Sequence, residues 1–137
     1  MRRYNFDCYE NFCDEVVSEY MDLYENDDLS SIYIIAKYDD AREVIQNLIY
    51  HGLDIRSISE LSSVETSGYC DEFLISIFEH EIWCEPMKCD GKYIDVETKI
   101  CYVFENCSST VIGHIRAATK VYEIGISDDY EEDNYDI

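Results

Sequence analysis

From Tyr9 to Tyr24 apolar residues recur every three to four positions, and carboxylates fill the gaps between them. Wound at about 100° per residue, Tyr9, Phe12, Cys13, Val16, Val17, Tyr20, Leu23 and Tyr24 gather on one side of a helix. Asp7, Glu10, Asp14, Glu15, Glu19, Asp22 and Glu25 gather on the other. Asp7 and Glu10 have the spacing of a capping box, and Asp suits the positive end of a helix, so the helix is expected to begin there. Ile32 to Ala36 is short, β-branched and apolar, which predicts a buried strand. A second helix is predicted from about Asp40 to His51, with Asp40 as its cap and Gly52 as its stop. Its apolar stripe is Val44, Ile45, Leu48 and Ile49. Ile55 to Leu61 alternates weakly and reads as an edge strand.

In the second half the period shortens. Phe73 to Phe104 reads as an antiparallel meander, with Phe73–Phe78 apolar on both faces and therefore central. Glu81–Met87 is the next strand, and Pro86 marks an exposed edge or a strand end. Asp90-Gly91 signals a tight turn into Tyr93–Val96. Lys99–Glu105 alternates again. Ser108 or Ser109 caps a short helix to about Arg116, and Val121–Ile126 is a last strand. The expected fold is α+β: an antiparallel sheet with the acidic N-terminal helix and one or two further helices packed on it, then an acidic C-terminal tail. A single proline and five glycines leave no sign of a linker. The expected organisation is one domain over residues 1–126 and a flexible acidic tail over 127–137.

Charge changes this picture most. The 137 residues carry 31 acids against 10 bases, a formal net charge of -21. No Lys or Arg occurs between Tyr4 and Ala36, and the last ten residues add six acids and no base. Such a surface repels nucleic acid and anionic membrane and attracts a strongly positive partner. With 47% hydrophobic and 14% aromatic residues, the chain still has the means to build a core. Seven cysteines, an odd number, and an N-terminus without an apolar leader fit a reducing cytoplasm. No run approaches the roughly 20 apolar residues of a membrane span.

Recognised catalytic chemistry is missing from the pattern. Cys84, Cys89, Cys101 and Cys107 form Cys-x4-Cys and Cys-x5-Cys pairs, looser than the two-to-four-residue spacing of most zinc sites. His80 and Cys84 stand four apart on an expected strand, about 13 Å in extended chain and too far for a nucleophile–base pair. Paired acids such as Asp27-Asp28, Asp39-Asp40 and Asp128-Asp129 lack the spacing and glycine of a calcium loop. No glycine-rich phosphate loop or nucleophile elbow is present. No metal or cofactor is expected.

An acidic helix face is usually a solvated face, yet ordinary solvated faces interleave both signs. Carboxylates four apart on a helix lie about 6 Å apart along its axis. Duplex DNA carries about one charge per 1.7 Å of axis, so an acidic helix can compete for a phosphate-binding groove. Thirteen tyrosines, two of them (Tyr130 and Tyr135) in the tail, suit an interface. With its acidic helix from Asp7 to Glu25, its tail from Asp128 to Asp136 and its short α+β domain, the chain resembles the small acidic inhibitors of phages and mobile elements. These are the anti-CRISPR and anti-restriction DNA mimics, a class without a shared sequence motif. The resemblance implies a non-enzymatic inhibitor in the bacterial cytoplasm. It would bind the positive DNA-binding surface of a defence nuclease, a CRISPR effector above all, and block access of target DNA. The residues expected to make that contact are Asp14, Glu15, Glu19, Asp22, Glu25, Asp27 and Asp28, with Asp128, Asp129, Glu131, Glu132 and Asp133 as a second set. Two other readings have the same charge: an antitoxin or adaptor for a basic protein, and a zinc-stabilised regulatory domain.

Overall fold

The computed structural model describes residues 2–26, 32–51, 57–58, 72–78, 81–86, 100–107 and 120–127. In chain order they form β1 (Arg2–Phe6), α1 (Tyr9–Glu25), β2 (Ile32–Lys37), α2 (Tyr38–Tyr50), β3 (Ser57–Ile58), β4 (Glu72–Phe78), β5 (Glu81–Pro86), β6 (Ile100–Phe104) and β7 (Lys120–Ile126). A single seven-stranded sheet has the order β1-β7-β6-β2-β4-β5-β3.

The fold is α+β, but the expected antiparallel sheet is mixed and mostly parallel. β4 pairs antiparallel with β2 and with β5. The other four ladders, β1–β7, β7–β6, β6–β2 and β5–β3, are parallel. The expected meander therefore stops after the β4–β5 hairpin, and β6 crosses to the far side of β2. The cause is burial. Every residue of Ile100–Phe104 is buried, and so are Ile32, Ile34, Ile35 and Ala36 of β2. Continuous apolar runs of this kind suit interior strands covered on both faces, where parallel pairing is common. Three expectations hold: Phe73–Phe78 is an interior strand, Pro86 ends β5, and the short β3 is an edge.

β1 was not foreseen, because Arg-Arg-Tyr-Asn-Phe is short and polar. It finds its place beside β7, with Tyr4 opposite Ile124 and Phe6 opposite Ile126.

Register assigns the faces. Ile34 stands beside both Tyr102 and Ile75, and Ile75 opposes Cys84, so these four side chains share one face. Phe12 of α1 meets Tyr102, Phe104 and Phe6 edge-on at 5.3, 5.4 and 5.5 Å, which identifies that face as the one the helices cover. α2 lies beside α1, where the Cys13 thiol donates to the Val44 carbonyl at 3.6 Å. Phe12, Cys13, Val16, Ala41, Val44 and Leu48 are fully buried between helices and sheet.

Both helices begin differently from expectation. α1 starts after Cys8, and no side chain caps it, so Asp7 and Glu10 form no capping box. α2 starts directly after β2 with Lys37 in the cap position, and Asp40 lies inside its first turn. Asp40 is drawn into tertiary contacts instead. It accepts hydrogen bonds from the Tyr9 hydroxyl and, at 3.2 Å, from the Asn106 amide. The stop expected at Gly52 lies outside the described residues, and His51 occupies the C-terminal cap position.

Like charges oppose α1 without preventing it. The pairs Glu10–Asp14, Glu15–Glu19, Glu19–Asp22 and Asp22–Glu25 sit three or four apart, each costing about 0.2–0.5 kcal/mol. Burying Phe12 and Val16 completely contributes about 1.5–3 kcal/mol apiece, which outweighs that repulsion. Among the described residues, no helix is long and apolar enough to cross a membrane.

Candidate functional site

The carboxylates of α1 divide into three environments. Glu10, Asp14, Asp22 and Glu25 are exposed. Asp14 lies on the α2 side, 3.1 Å from Nδ1 of His51. Among the described residues this is the one contact of an α1 carboxylate with a basic side chain at ion-pair distance, and no Lys or Arg lies that close to Glu10, Glu15, Glu19, Asp22 or Glu25. Two of the described arginines are engaged elsewhere. Arg3 bridges Glu105 and, at 3.4 Å, Glu123, while the Arg42 guanidinium lies 5.9 Å from the centre of the Tyr38 ring.

Glu15 and Glu19 depart from the expected outer face. One turn apart, they are half-buried on one flank of α1. Burial first, and then the charge of Glu19, raise the Glu15 carboxyl above the usual carboxylate range. The exposed acidic surface of α1 is therefore Glu10, Asp14, Asp22 and Glu25, with Glu15 and Glu19 half-buried on its flank.

On the helix-covered face three tyrosines cross three strands. Tyr102 of β6 stacks on Tyr122 of β7 at 5.6 Å, and Tyr122 stacks on Tyr4 of β1 at 4.9 Å. Arg2 ends the row, donating to the Tyr4 hydroxyl at 3.1 Å with its guanidinium 6.0 Å from the ring centre. Tyr4 and Tyr122 are half-buried and Tyr102 is fully buried. Among the described residues the Tyr102 hydroxyl has no hydrogen-bond partner. Burial, with the nearby charges of Glu19 and Glu15, pushes this phenol far above the ordinary tyrosine range. Tyr4, Tyr102 and Tyr122 were legible only as generic interface or core tyrosines, because the stack exists only once β1, β7 and β6 align.

A second concave feature, an open cleft of about 600 Å³, lies where α1 and α2 begin. Glu10, Asp39 and Glu43 line it, with Arg42, Cys8 and Asn47 between them. Its residues are scattered in sequence and gave no signal as a group.

The thiols do not form the suspected zinc site. Cys84 points to the helix-covered face, whereas Cys101, next to Tyr102 on β6, points to the opposite face. Both are buried, as is Cys107, whose thiol donates to the Ile35 carbonyl at 3.6 Å. These three therefore cannot converge on one ion. Among the described residues no group of three or more His, Cys, Asp or Glu side chains is placed to hold a metal. Burial pushes the Cys13 and Cys101 thiols up to about 12, which suppresses thiolate chemistry at neutral pH.

Several sequence expectations fall outside the described residues: Asp27, Asp28, Asp128, Asp129, Glu131, Glu132, Asp133, Cys89, His80 and His114. The Asp90-Gly91 turn, the Tyr93–Val96 strand, the short helix after Ser108 and the tail do so as well.

No protein-family model matches the chain, and searches of curated proteins and solved structures return no match.

Proposed function

We propose that this protein is a non-enzymatic binder of a strongly positive, nucleic-acid-binding surface. On this reading it acts in the bacterial cytoplasm as a DNA mimic that keeps target DNA from a defence nuclease, a CRISPR effector being the leading candidate. The observation that carries the reading is that, among the described residues, no Lys or Arg pairs with a carboxylate of α1. Across 17 residues of helix there is no Lys or Arg, and Glu10, Asp14, Asp22 and Glu25 face solvent. A carboxylate row of this kind offers acceptors to lysines and arginines that otherwise contact phosphates. The nuclease as target is taken from the class resemblance; the anionic surface supports any basic partner.

The test is capture of the partner from a bacterial lysate on the immobilised full chain, followed by elution with duplex DNA at graded salt. A nuclease released by DNA, and not retained by the folded variant Asp14→Asn/Glu15→Gln/Glu19→Gln/Asp22→Asn/Glu25→Gln, is the expected result. Retention by that variant would remove α1 as the contact surface. A partner that stays bound in excess DNA would replace mimicry with an antitoxin-like or adaptor role.

A further inference from the structure

We infer that the outer edge of β1 pairs with β1 of a second copy of this chain, joining two sheets into one across a twofold axis at Tyr4. The inference goes beyond the proposed function and does not depend on it.

β1 ends the sheet, with β7 as its neighbour. The Ser127 N–H donates to the Phe6 carbonyl at 2.9 Å, and in a parallel ladder alternate residues turn both backbone groups toward the neighbouring strand. Arg2, Tyr4 and Phe6 therefore face β7, while the N–H and C=O groups of Arg3 and Asn5 point away from the sheet. Among the described residues nothing bonds those four groups. Edges of this kind are usually blunted by outward charges, a proline or a bulge. β1 has no proline, its register with β7 is unbroken, and its charged side chains are turned back onto their own chain. Arg3 bridges Glu105 and Glu123, and Arg2 lies over the Tyr4 ring. Asn5 leans inward as well, since a Cβ at Gly125 would meet its Oδ1 at 2.6 Å.

An uncovered edge takes an extended chain by strand addition, and the spacing within β1 selects which chain. In an antiparallel pair, residues with outward backbone groups bond reciprocally. Setting Arg3 opposite Asn5 of the second copy, and Asn5 opposite its Arg3, uses all four outward groups of each copy. A shift of two residues either way leaves half of them without a partner inside β1. The matching register is the same for both copies and puts Tyr4 on the axis, with Cα atoms about 4.5 Å apart. Tyr4 already stacks on Tyr122 at 4.9 Å, and Tyr122 on Tyr102 at 5.6 Å, so the row of rings runs on from one copy into the other.

Charge permits the approach at this edge. In a chain of net charge -21, β1 holds two arginines and no acid. Phe12 of α1 meets Phe6 of β1 and Tyr102 of β6, so α1 lies over β7, the strand between them. Across the axis the two β7 strands stand three strand spacings apart, about 14 Å. Helices about 10–12 Å across clear each other at that distance. The same distance exceeds the Debye length of about 8 Å at 0.15 M salt, so the repulsion between the two α1 helices is screened. A five-residue ladder is small beside a standard interface of about 1,600 Å², which makes the dimer weak and dependent on concentration and salt.

The experiment is sedimentation velocity on the full chain from about 5 to about 500 μM, at low and at moderate salt. The pairing predicts a shift from the 16.1 kDa monomer to a dimer within that range, at lower concentration in the higher salt. Asn5→Pro removes an N–H that points away from the sheet, a position where an edge strand tolerates proline. By symmetry it deletes two of the four bonds between copies, and it should weaken the dimer at least about tenfold while leaving the circular dichroism of the monomer unchanged. Asn5→Ala keeps the N–H and should stay within about threefold of the parent. Hydrogen exchange at the Arg3 and Asn5 amides needs no variant and should slow as the dimer forms. A chain that is monomeric throughout, a dimer as strong in Asn5→Pro as in the parent, or equal losses in the proline and alanine variants would overturn the strand pairing. Exchange at Arg3 and Asn5 that ignores concentration would overturn it as well.

Discussion

Replacing Tyr102 with phenylalanine deletes one oxygen from the core and should make the free protein more stable. The residue is fully buried, and among the described residues its hydroxyl has no partner. A buried, unsatisfied polar group costs about 1–3 kcal/mol, because its hydrogen bonds to water are lost and not replaced. The ring contacts with Phe12 at 5.3 Å and Tyr122 at 5.6 Å survive the substitution. The space left is smaller than a methyl group, so the void recovers less than about 1 kcal/mol of the gain. The net expectation is about 1 kcal/mol of added stability, or a rise of about 2–5 °C in Tm for a chain of this size. pH supplies a second signature. The folded protein holds the phenol proton more tightly than the unfolded chain, whose tyrosines titrate near 10. That contribution to stability is intact below about pH 10 and is lost as pH climbs toward the raised folded value. Phenylalanine has no such loss, so the variant's advantage should widen between pH 7.5 and 10.5. Urea unfolding followed by far-ultraviolet circular dichroism at the two pH values measures both effects. A variant less stable than the parent at pH 7.5 would show that the hydroxyl is satisfied.

Phe12→Ala strikes the centre of the aromatic cluster and should cost about 3–5 kcal/mol in urea unfolding; a loss below about 1 kcal/mol would mean that Phe12 does not join helix to sheet. Glu15 has a raised folded pKa, so its contribution is intact below the unfolded value near 4.3 and is lost as pH rises. Glu15→Gln should therefore exceed the parent in Tm at pH 7, with the margin closing toward pH 4, and a margin independent of pH would refute the coupling. With a net charge of -21, adding salt to about 0.15 M shortens the Debye length to about 8 Å and should raise Tm. A flat or falling Tm would show that specific pairing already offsets the repulsion.

How much of this was legible depended on whether a residue's role was local. The apolar stripe of α1 recurs at helical spacing, and Phe12, Cys13, Val16 and Tyr20 are buried as that spacing implies. The stripe of α2 holds for Val44, Ile45 and Leu48, while Ile49 is exposed at its margin. Sheet order was not local. Ile-Cys-Tyr-Val-Phe in β6 was read as alternating because Lys99 and Glu105 flank it, but its five residues are continuously buried, the mark of an interior strand. Caps failed for a related reason. Asp7 and Asp40 have the right chemistry, but Asp7 makes no cap bond and Asp40 is held by Tyr9 and Asn106, one of them 66 residues away in sequence. The acidic surface was legible as charge, yet the grouping into two faces did not separate Glu15 and Glu19 from Asp22 and Glu25, although at about 100° per residue Glu19 falls beside Phe12 at the margin of the apolar arc. That division follows from which flank of α1 meets the tyrosine row.

The acidity of α1 is not a requirement of its fold. Its buried residues would pack equally well with lysine at exposed positions, and lysine at position 10 or 22 would turn repulsive neighbours into attractive ones. Reversing one such pair is worth about 0.4–1 kcal/mol, counting the repulsion removed and the attraction gained. Several reversals are open to the sequence, at Glu10–Asp14, Glu19–Asp22 and Asp22–Glu25. A helix selected for stability or solubility alone would be expected to use some of them, since solubility needs net charge but not a single sign on every exposed turn. Keeping all of them acidic has a direct use only when a positive surface approaches. There the same carboxylates change from mutually repelling neighbours into a row of acceptors, and the repulsion stored in the free helix is relieved on contact. On this argument a lysine placed at Asp22 should stabilise the free protein and weaken the complex together. A substitution that improved both would mean that the charge of α1 serves the fold after all.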